Sequence, residues 1–378
     1  MNFVFRKFIT LSLLFSFITL NSFFGTTESQ ASWETEWKKT VEAAKKEGVV
    51  TVYTSSRQSN LLLESGAFQK AYPDIKLLVA LGNPLYRILT ERRVGKYLAD
   101  VGLTGPSTLW RLYKAKALDP VKDAMILPEV TDESKWFTGK HLYVDKEQKY
   151  ILVSVGNPDS GNFYYNTNLI NPKKFKSMWD FLKPEWKGKI TARDVRSPGP
   201  GSVTIKFYYY NPDLGVKFIK KLFGEMDLTL FRNQRQGIDW LSSGRFPICV
   251  FCNSSRIENA KVQGLPVEKF AQMKEGAVLS SSGGGLTLIN RAPHPNAARV
   301  FINWYLSREG QLALQSLKGG FTNSRRIDIS RDMIPPDRRL EKDGKYMVVD
   351  TWDRISTRPV LKIINASLAD AQKRKKNK

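Results

Sequence analysis

A short apolar run, a polar loop and an amphipathic helix recur in that order along this chain, an alternation that restricts it to α/β architecture with largely parallel sheets. In the first copy, Trp37, Val41 and Ala44 stand at helical spacing over 33–47, Gly48 stops the helix, and Val49-Val50-Thr51-Val52-Tyr53-Thr54 reads as a strand. The loop Ser55-Ser56-Arg57-Gln58-Ser59-Asn60 follows, then a predicted helix over 61–72 that Pro73 closes. The pattern returns as a strand over 99–103, the loop Thr104-Gly105-Pro106-Ser107 and a helix over 109–117. It returns again after a strand over 189–192, with the loop 193–202. A last copy follows the apolar run 247–252, where Asn253-Ser254-Ser255-Arg256 leads into a helix over 257–263.

In α/β sheets, ligands bind at the carboxyl ends of strands, where helix N-termini offer unpaired N–H groups to negative charge. Ser55, Ser56, Arg57, Thr104, Ser107, Arg196, Ser202, Asn253 and Ser254 are therefore the candidate binding residues. Their hydroxyls and amides donate hydrogen bonds, and Arg57 and Arg196 carry guanidinium forks suited to a carboxylate or phosphate. Each also has a plainer structural explanation. Ser, Thr, Asn and Gly at a loop-to-helix boundary are what capping demands, and an arginine there can be a solvated surface charge. Binding is favoured because four such loops share one position relative to their strands.

At the N-terminus, Arg6 and Lys7 precede an apolar run over 8–24, and Ser29-Gln30-Ala31 places small residues before Ser32. The run is shorter than a bilayer-spanning helix needs, so 1–31 reads as a cleaved export leader and the periplasm is the expected location. About 347 residues would remain, more than one core usually serves, so two lobes are expected. No cysteine stands at the expected cleavage site to carry a lipid, and no second stretch approaches spanning length, so a soluble product is expected.

The chain carries a net +23, near +22 without the leader's Arg6, Lys7 and Glu28, and such a surface attracts anions. No helix-turn-helix, RNP or zinc-finger pattern is present, so nucleic acid is not an expected partner. The densest basic run, Lys373, Arg374, Lys375, Lys376 and Lys378, reads as a solvated, frayed tail, with docking onto an anionic surface as the alternative. Cys249 and Cys252 form a C-x-x-C inside the apolar run 247–252. At that spacing in a strand they point to opposite faces, which predicts two core thiols rather than a disulfide or metal pair. With His141 and His294 the only histidines, no tetrahedral metal site and no cofactor are expected.

Four segments, in order, resemble the extracellular solute-binding proteins of ABC importers, specifically the type II periplasmic group that includes ferric-iron binders. The first is Glu47-Gly48-Val49-Val50-Thr51-Val52-Tyr53-Thr54-Ser55, and the second is Ala99-Asp100-Val101 with Lys116-Ala117-Leu118-Asp119-Pro120. The third is Ser177-Met178-Trp179-Asp180-Phe181-Leu182-Lys183-Pro184-Glu185-Trp186-Lys187-Gly188-Lys189-Ile190. The fourth runs from His294-Pro295-Asn296-Ala297-Ala298 to Leu306-Ser307-Arg308-Glu309-Gly310-Gln311. The resemblance implies a clamshell of two α/β lobes, each a mixed sheet flanked by helices, that closes on a small-molecule solute and presents it to a membrane ABC permease. It implies a first lobe of 32–153 plus 285–328, a second of 154–284 and a C-terminal helical segment, 329–378, ending in the basic tail. Two hinge crossings are expected, near 152–156 and near 279–288, where Ser280-Ser281-Ser282-Gly283-Gly284-Gly285 offers small residues. The working unit is expected to be a monomer.

Iron-binding members of that group use an adjacent tyrosine pair after a second-lobe strand, and the matching stretch here is Cys252-Asn253-Ser254-Ser255. Tyr208-Tyr209-Tyr210 lies within a predicted helix, which splays three consecutive rings around its axis. The loops supply mainly neutral hydroxyls and arginines, whereas ferric iron wants several anionic oxygens. A small organic anion with a phosphate, phosphonate, sulfonate or carboxylate head is therefore the expected solute, and ferric iron, alone or with a bound anion, is the alternative. An enzyme is not expected: no G-x-S-x-G or H-E-x-x-H occurs. A secreted glycan hydrolase using a carboxylate dyad is the remaining catalytic reading.

Overall fold

The computed structural model describes residues 21–55, 57–197, 201–281, 284–317 and 322–377, with backbone alone at 21–31, 57, 58 and 337. The expected leader lies largely outside the described residues, as do Ser56, the Arg57 side chain and part of the glycine-rich hinge run. Among the described residues no helix is long and apolar enough to cross a membrane.

Two mixed sheets form the two lobes, and a small third sheet joins them. The first lobe opens with helix α1 (Asn21–Glu47) and strand β1 (Val49–Thr54). The chain continues through α2 (Arg57–Glu64), α3 (Ala67–Ala71), β2 (Lys76–Leu81), α4 (Pro84–Arg93), β3 (Val101–Thr104), α5 (Pro106–Lys114) and β4 (Leu118–Asp119). The helix expected over 61–72 is thus two helices, because Gly66 adopts a left-handed φ of 75° that starts a new one. After α6 (Pro128–Thr131) come β5 (Leu142–Tyr143) and β6 (Leu152–Val153), completing the strand order β2-β1-β3, then a strand described below, then β6-β5.

The second lobe holds β8 (Phe163–Asn166), β9 (Ile190–Arg193), α7 (Ser202–Tyr210), α8 (Gly215–Glu225), β10 (Thr229–Phe231), α9 (Gln234–Ser242), β11 (Ile248–Val250), α10 (Ser254–Val262) and β12 (Val267–Lys269). Its order is β10-β9-β11-β8-β12. The pairs β1–β2, β1–β3, β9–β10 and β9–β11 are parallel, as crossover helices require, while β8 runs antiparallel to β11 and β12.

Passage between lobes runs through the third sheet, made of β7 (Asn157–Asp159), β13 (Ala277–Ser280) and β15 (Tyr346–Met347). From β6 the chain enters β7, and from β13 it returns into β14 (Gly285–Ile289), which completes the first sheet between β3 and β6. Helices α11 (Pro295–Leu306) and α12 (Arg308–Gln315) then cover the first lobe. A further connection follows: 323–325 pairs with the first crossing, β15 adds to the third sheet, and α13 (Arg358–Lys376) packs on the second lobe, where Val349, Val360 and Ile364 join its core. The basic run expected to fray is helical through Lys376, because Arg374 donates to the Gly224 carbonyl and Lys375 pairs with Asp227.

Arg325 sits at this crossing with 3 % of its surface exposed. Its backbone N–H donates to the Ser154 carbonyl at 2.8 Å, and its buried Nε and Nη1 have no protein acceptor. Burial without a countercharge pulls its guanidinium down to about 10. A cation whose folded pKa is depressed costs stability at every pH below that value, with relief only as pH rises through it, so the whole cost is present at neutral pH. Arg325→Met is expected to raise unfolding free energy by about 1–2 kcal/mol, since an apolar group there needs no solvation. Chemical denaturation at neutral pH checks this, and a loss of stability would show that the guanidinium is compensated.

Candidate functional site

The strand orders β2-β1-β3 and β10-β9-β11 are the same arrangement: in each trio the earliest strand lies centrally, the next on one side and the last on the other. Successive helices on opposite sides of such a reversal leave a crevice at the carboxyl ends of the central and third strands. In the first lobe those ends are Thr54 and Thr104, followed by Ser55 and by the Gly105 cap of α5. In the second lobe they are Arg193 and Val250, followed by the loop into α7 and the Asn253 cap of α10.

Parallel pairing of Thr54 with Leu103 aligns the two first-lobe ends, and Ser55 Oγ lies 2.5 Å from Thr104 Oγ1. Ser55 is exposed, whereas Thr104 is buried beneath it. β14 approaches Thr104 so closely that a Cβ on Gly285 would stand 2.7 Å from the Thr104 carbonyl oxygen, so the sheet admits only glycine there. Pro106 occupies the first turn of α5 without sacrificing a helical hydrogen bond, and Ser107 is exposed beside it.

In the second lobe, Asn253 Oδ1 accepts from the Arg256 N–H at 3.0 Å, and the Asn253 N–H donates to Gln234 Oε1 at 2.9 Å. Gln234 Nε2 is buried without a protein partner. Ser254 is exposed and reaches the Tyr164 hydroxyl, which donates to Asn162 Oδ1 at 2.9 Å. Asn162 Nδ2 in turn donates to Thr204 Oγ1 at 2.6 Å. This chain links the N-terminal turns of α10 and α7 through β8. Ser202 opens α7 and is exposed. The Gly201 before it has φ 99°, and a Cβ there would lie 2.8 Å from Val195, so the entry into α7 depends on glycine.

Arg196 behaves differently from the expectation of a free fork. Its Nε and Nη2 donate to Asp194 Oδ1 and Oδ2 at 2.7 and 2.8 Å. Hydrogen bonding from Arg196, ahead of the opposing effect of burial, holds the Asp194 carboxyl below its usual range. The guanidinium thus braces its own loop. The sequence Asp194-Val195-Arg196 carried the signal for this local pair. Asn162, Tyr164, Thr204 and Gln234 were not singled out: Tyr164 lies in the aromatic run Phe163-Tyr164-Tyr165, and Asn162, Thr204 and Gln234 lie outside the four loops that follow the predicted strands.

The cysteines form a disulfide, Cys249–Cys252, with Cα atoms 6.3 Å apart, which overturns the expectation of two core thiols. β11 stops at Val250, and Phe251 takes a left-handed φ of 61°. That residue breaks the two-residue alternation and returns Cys252 to the side of Cys249. The cross-link therefore closes the turn that delivers Asn253 and Ser254.

The tyrosines of α7 do not form an exposed oxyanion group. Tyr208 is fully buried, its hydroxyl donates to the Gly161 carbonyl, and burial raises its pKa well above the usual phenol value. Burial does the same to Tyr164. Among the described residues no group of three or more His, Cys, Asp or Glu side chains could hold a metal.

Structures with this fold include iron-bound HitA from Pseudomonas aeruginosa, 17% identical over 84% of this chain and 99% of that one, with a TM-score of 0.60. Another is Trichodesmium IdiA (FutA) in complex with iron and citrate, 19% identical over 84% and 98%, with a TM-score of 0.61. A putative extracellular solute-binding protein from Bordetella parapertussis is 17% identical over 85% and 99%, with a TM-score of 0.65. At such identities the likeness is one of fold: two-lobed periplasmic binding proteins. No curated protein sequence matches the chain. The model of the bacterial extracellular solute-binding protein family matches residues 86–325, which take in strand ends of both crevices. This chain belongs to the family of bacterial extracellular solute-binding proteins.

Proposed function

We propose that this protein, the solute-binding component of an ABC importer, captures a small organic anion between the two crevices and delivers it to a membrane permease. The observation that carries the proposal is the repeated strand order, which puts hydroxyl-bearing loops and helix N-termini at equivalent positions in both lobes. Ser55, Thr104 and Ser107 bind from the first lobe, and Ser202, Asn253 and Ser254 bind from the second. Arg57 adds its charge to the first group, while Arg196 holds the loop that presents the second. The phosphate, phosphonate, sulfonate or carboxylate head is met by N–H and O–H donors rather than by a freestanding cation. The mature protein begins at Ser32 in the periplasm and acts as a monomer.

Iron with a bound anion is the second reading, because one neighbour of the same fold was solved with iron and citrate. An anion brought by the metal would meet the same donors. Against bare iron stand the protonated, buried Tyr164 and Tyr208. Native mass spectrometry with metal analysis, on protein exported to a periplasm and gently purified, separates the readings. A bound organic-anion mass without stoichiometric iron is the expected result. Stoichiometric iron without an anion would overturn the proposal, and conversion of the bound solute on standing would identify an enzyme.

A further inference from the structure

Two helices on the second lobe, α8 and α13, carry nine basic residues against two acidic ones, Glu225 and Asp370. Their apolar sides face inward: Phe218, Ile219, Leu222 and Phe223 of α8 and Val360 and Ile364 of α13 belong to the lobe core. The helices approach closely at Gly224, where a Cβ would stand 3.5 Å from Ser367. Amphipathic packing of this kind turns the lysines outward together. Lys217, Lys220, Lys362, Lys373 and Lys376 are exposed, and none has an acidic partner among the described residues. The end of α13 is held in place by Arg374 on the Gly224 carbonyl and by Lys375 on Asp227. The terminal lysines therefore stand on an anchored helix at fixed spacing.

We propose that the α8–α13 face is a docking surface for an anionic phospholipid bilayer. The chemistry favours a bilayer over a single phosphate-bearing ligand. The charges are spread along helices of 11 and 19 residues, the longer about 28 Å from end to end, and they do not converge on one point. The exposed groups are mostly lysines, mobile point charges that suit a diffuse layer of headgroups, whereas a discrete phosphate is usually gripped by bidentate arginine. An exported, membrane-served protein works beside such a surface. Each lysine held near it adds a factor of about five to binding, so five together concentrate the protein strongly at the membrane.

Sedimentation of the mature protein with vesicles tests this. Binding is expected to vesicles of phosphatidylglycerol and phosphatidylcholine, not to phosphatidylcholine alone, and is expected to fall steeply between about 50 and 500 mM salt. Lys217→Glu, Lys220→Glu, Lys373→Glu and Lys376→Glu combined should weaken it by at least about 100-fold. Reversing Lys38, Lys39, Lys70 and Lys76 to Glu changes net charge equally on the other lobe and should cost no more than about threefold. Equal losses in the two sets would reduce the effect to net charge and overturn the proposal, as would absence of binding to the anionic vesicles. Displacement by millimolar inorganic phosphate at constant ionic strength would also overturn it, by showing a discrete anion site. Unchanged circular dichroism of both sets confirms that folding is not the variable.

Discussion

Asp350→Ala is expected to cost about 3–5 kcal/mol of stability, the range for stripping one partner from a buried ion pair. Lys206 of α7 is 3 % exposed and Asp350 6 %. Lys206 Nζ donates to Asp350 Oδ1 at 2.8 Å and to the Val349 carbonyl at 3.0 Å. Ser281, at the return crossing between β13 and β14, donates its hydroxyl to Asp350 Oδ2 at 2.8 Å. One carboxylate thus joins three separate pieces: a crevice-forming helix, a crossing strand and the C-terminal segment. Without it, Lys206 Nζ is left with the Val349 carbonyl as its acceptor, and Ser281 loses its acceptor. Lys206→Met with Asp350→Leu should recover most of the loss, because removing both charges also removes the need to solvate them. Urea denaturation of the single and double variants decides the matter. A loss below about 1 kcal/mol for Asp350→Ala would show that water reaches the pair and screens it.

The elements that could be read from sequence were those whose signals are local. Gly48 and Pro73 marked real boundaries, the polar residues after β1, β3 and β11 fell at strand ends, and Tyr208 to Tyr210 proved helical. What failed to show depends on geometry that residue types do not encode. Nothing in Val250-Phe251-Cys252 announces that a phenylalanine will adopt a left-handed conformation, yet that one torsion converts two predicted core thiols into a disulfide. Strand order was equally hidden, because an α/β alternation fixes which elements exist and leaves open which strand lies in the centre. Segment 327–350 has little periodicity, so its return to the third sheet and the second-lobe core could not be anticipated. Arg196 shows the opposite error. The residue was read as a free fork, and the acid two positions earlier already accepts both of its hydrogen bonds.

Ser55→Ala and Ser254→Ala should each weaken solute binding by about tenfold, and together by about 100-fold, because a hydrogen bond to a charged group contributes roughly 1.5–3 kcal/mol. Near-additivity is expected since the two residues stand on separate sheets and share no hydrogen-bond partner. Their structural roles differ in a way that guards the interpretation. Ser55→Ala leaves the buried Thr104 hydroxyl without its neighbour, so a stability loss of about 1 kcal/mol should accompany the affinity loss. Ser254 reaches the buried Tyr164 hydroxyl, which keeps its bond to Asn162 when Ser254 is replaced, so Ser254→Ala should cost less stability than Ser55→Ala while affinity falls. Isothermal titration with the solute identified by mass spectrometry, beside thermal unfolding of each variant, measures both quantities. If Ser254→Ala binds as tightly as the parent, the second-lobe contact is absent and the crevice after β11 is ordinary capping. If both single variants lose affinity but the double loses no more than either, the solute engages one lobe at a time, and closure around it does not use these two hydroxyls together.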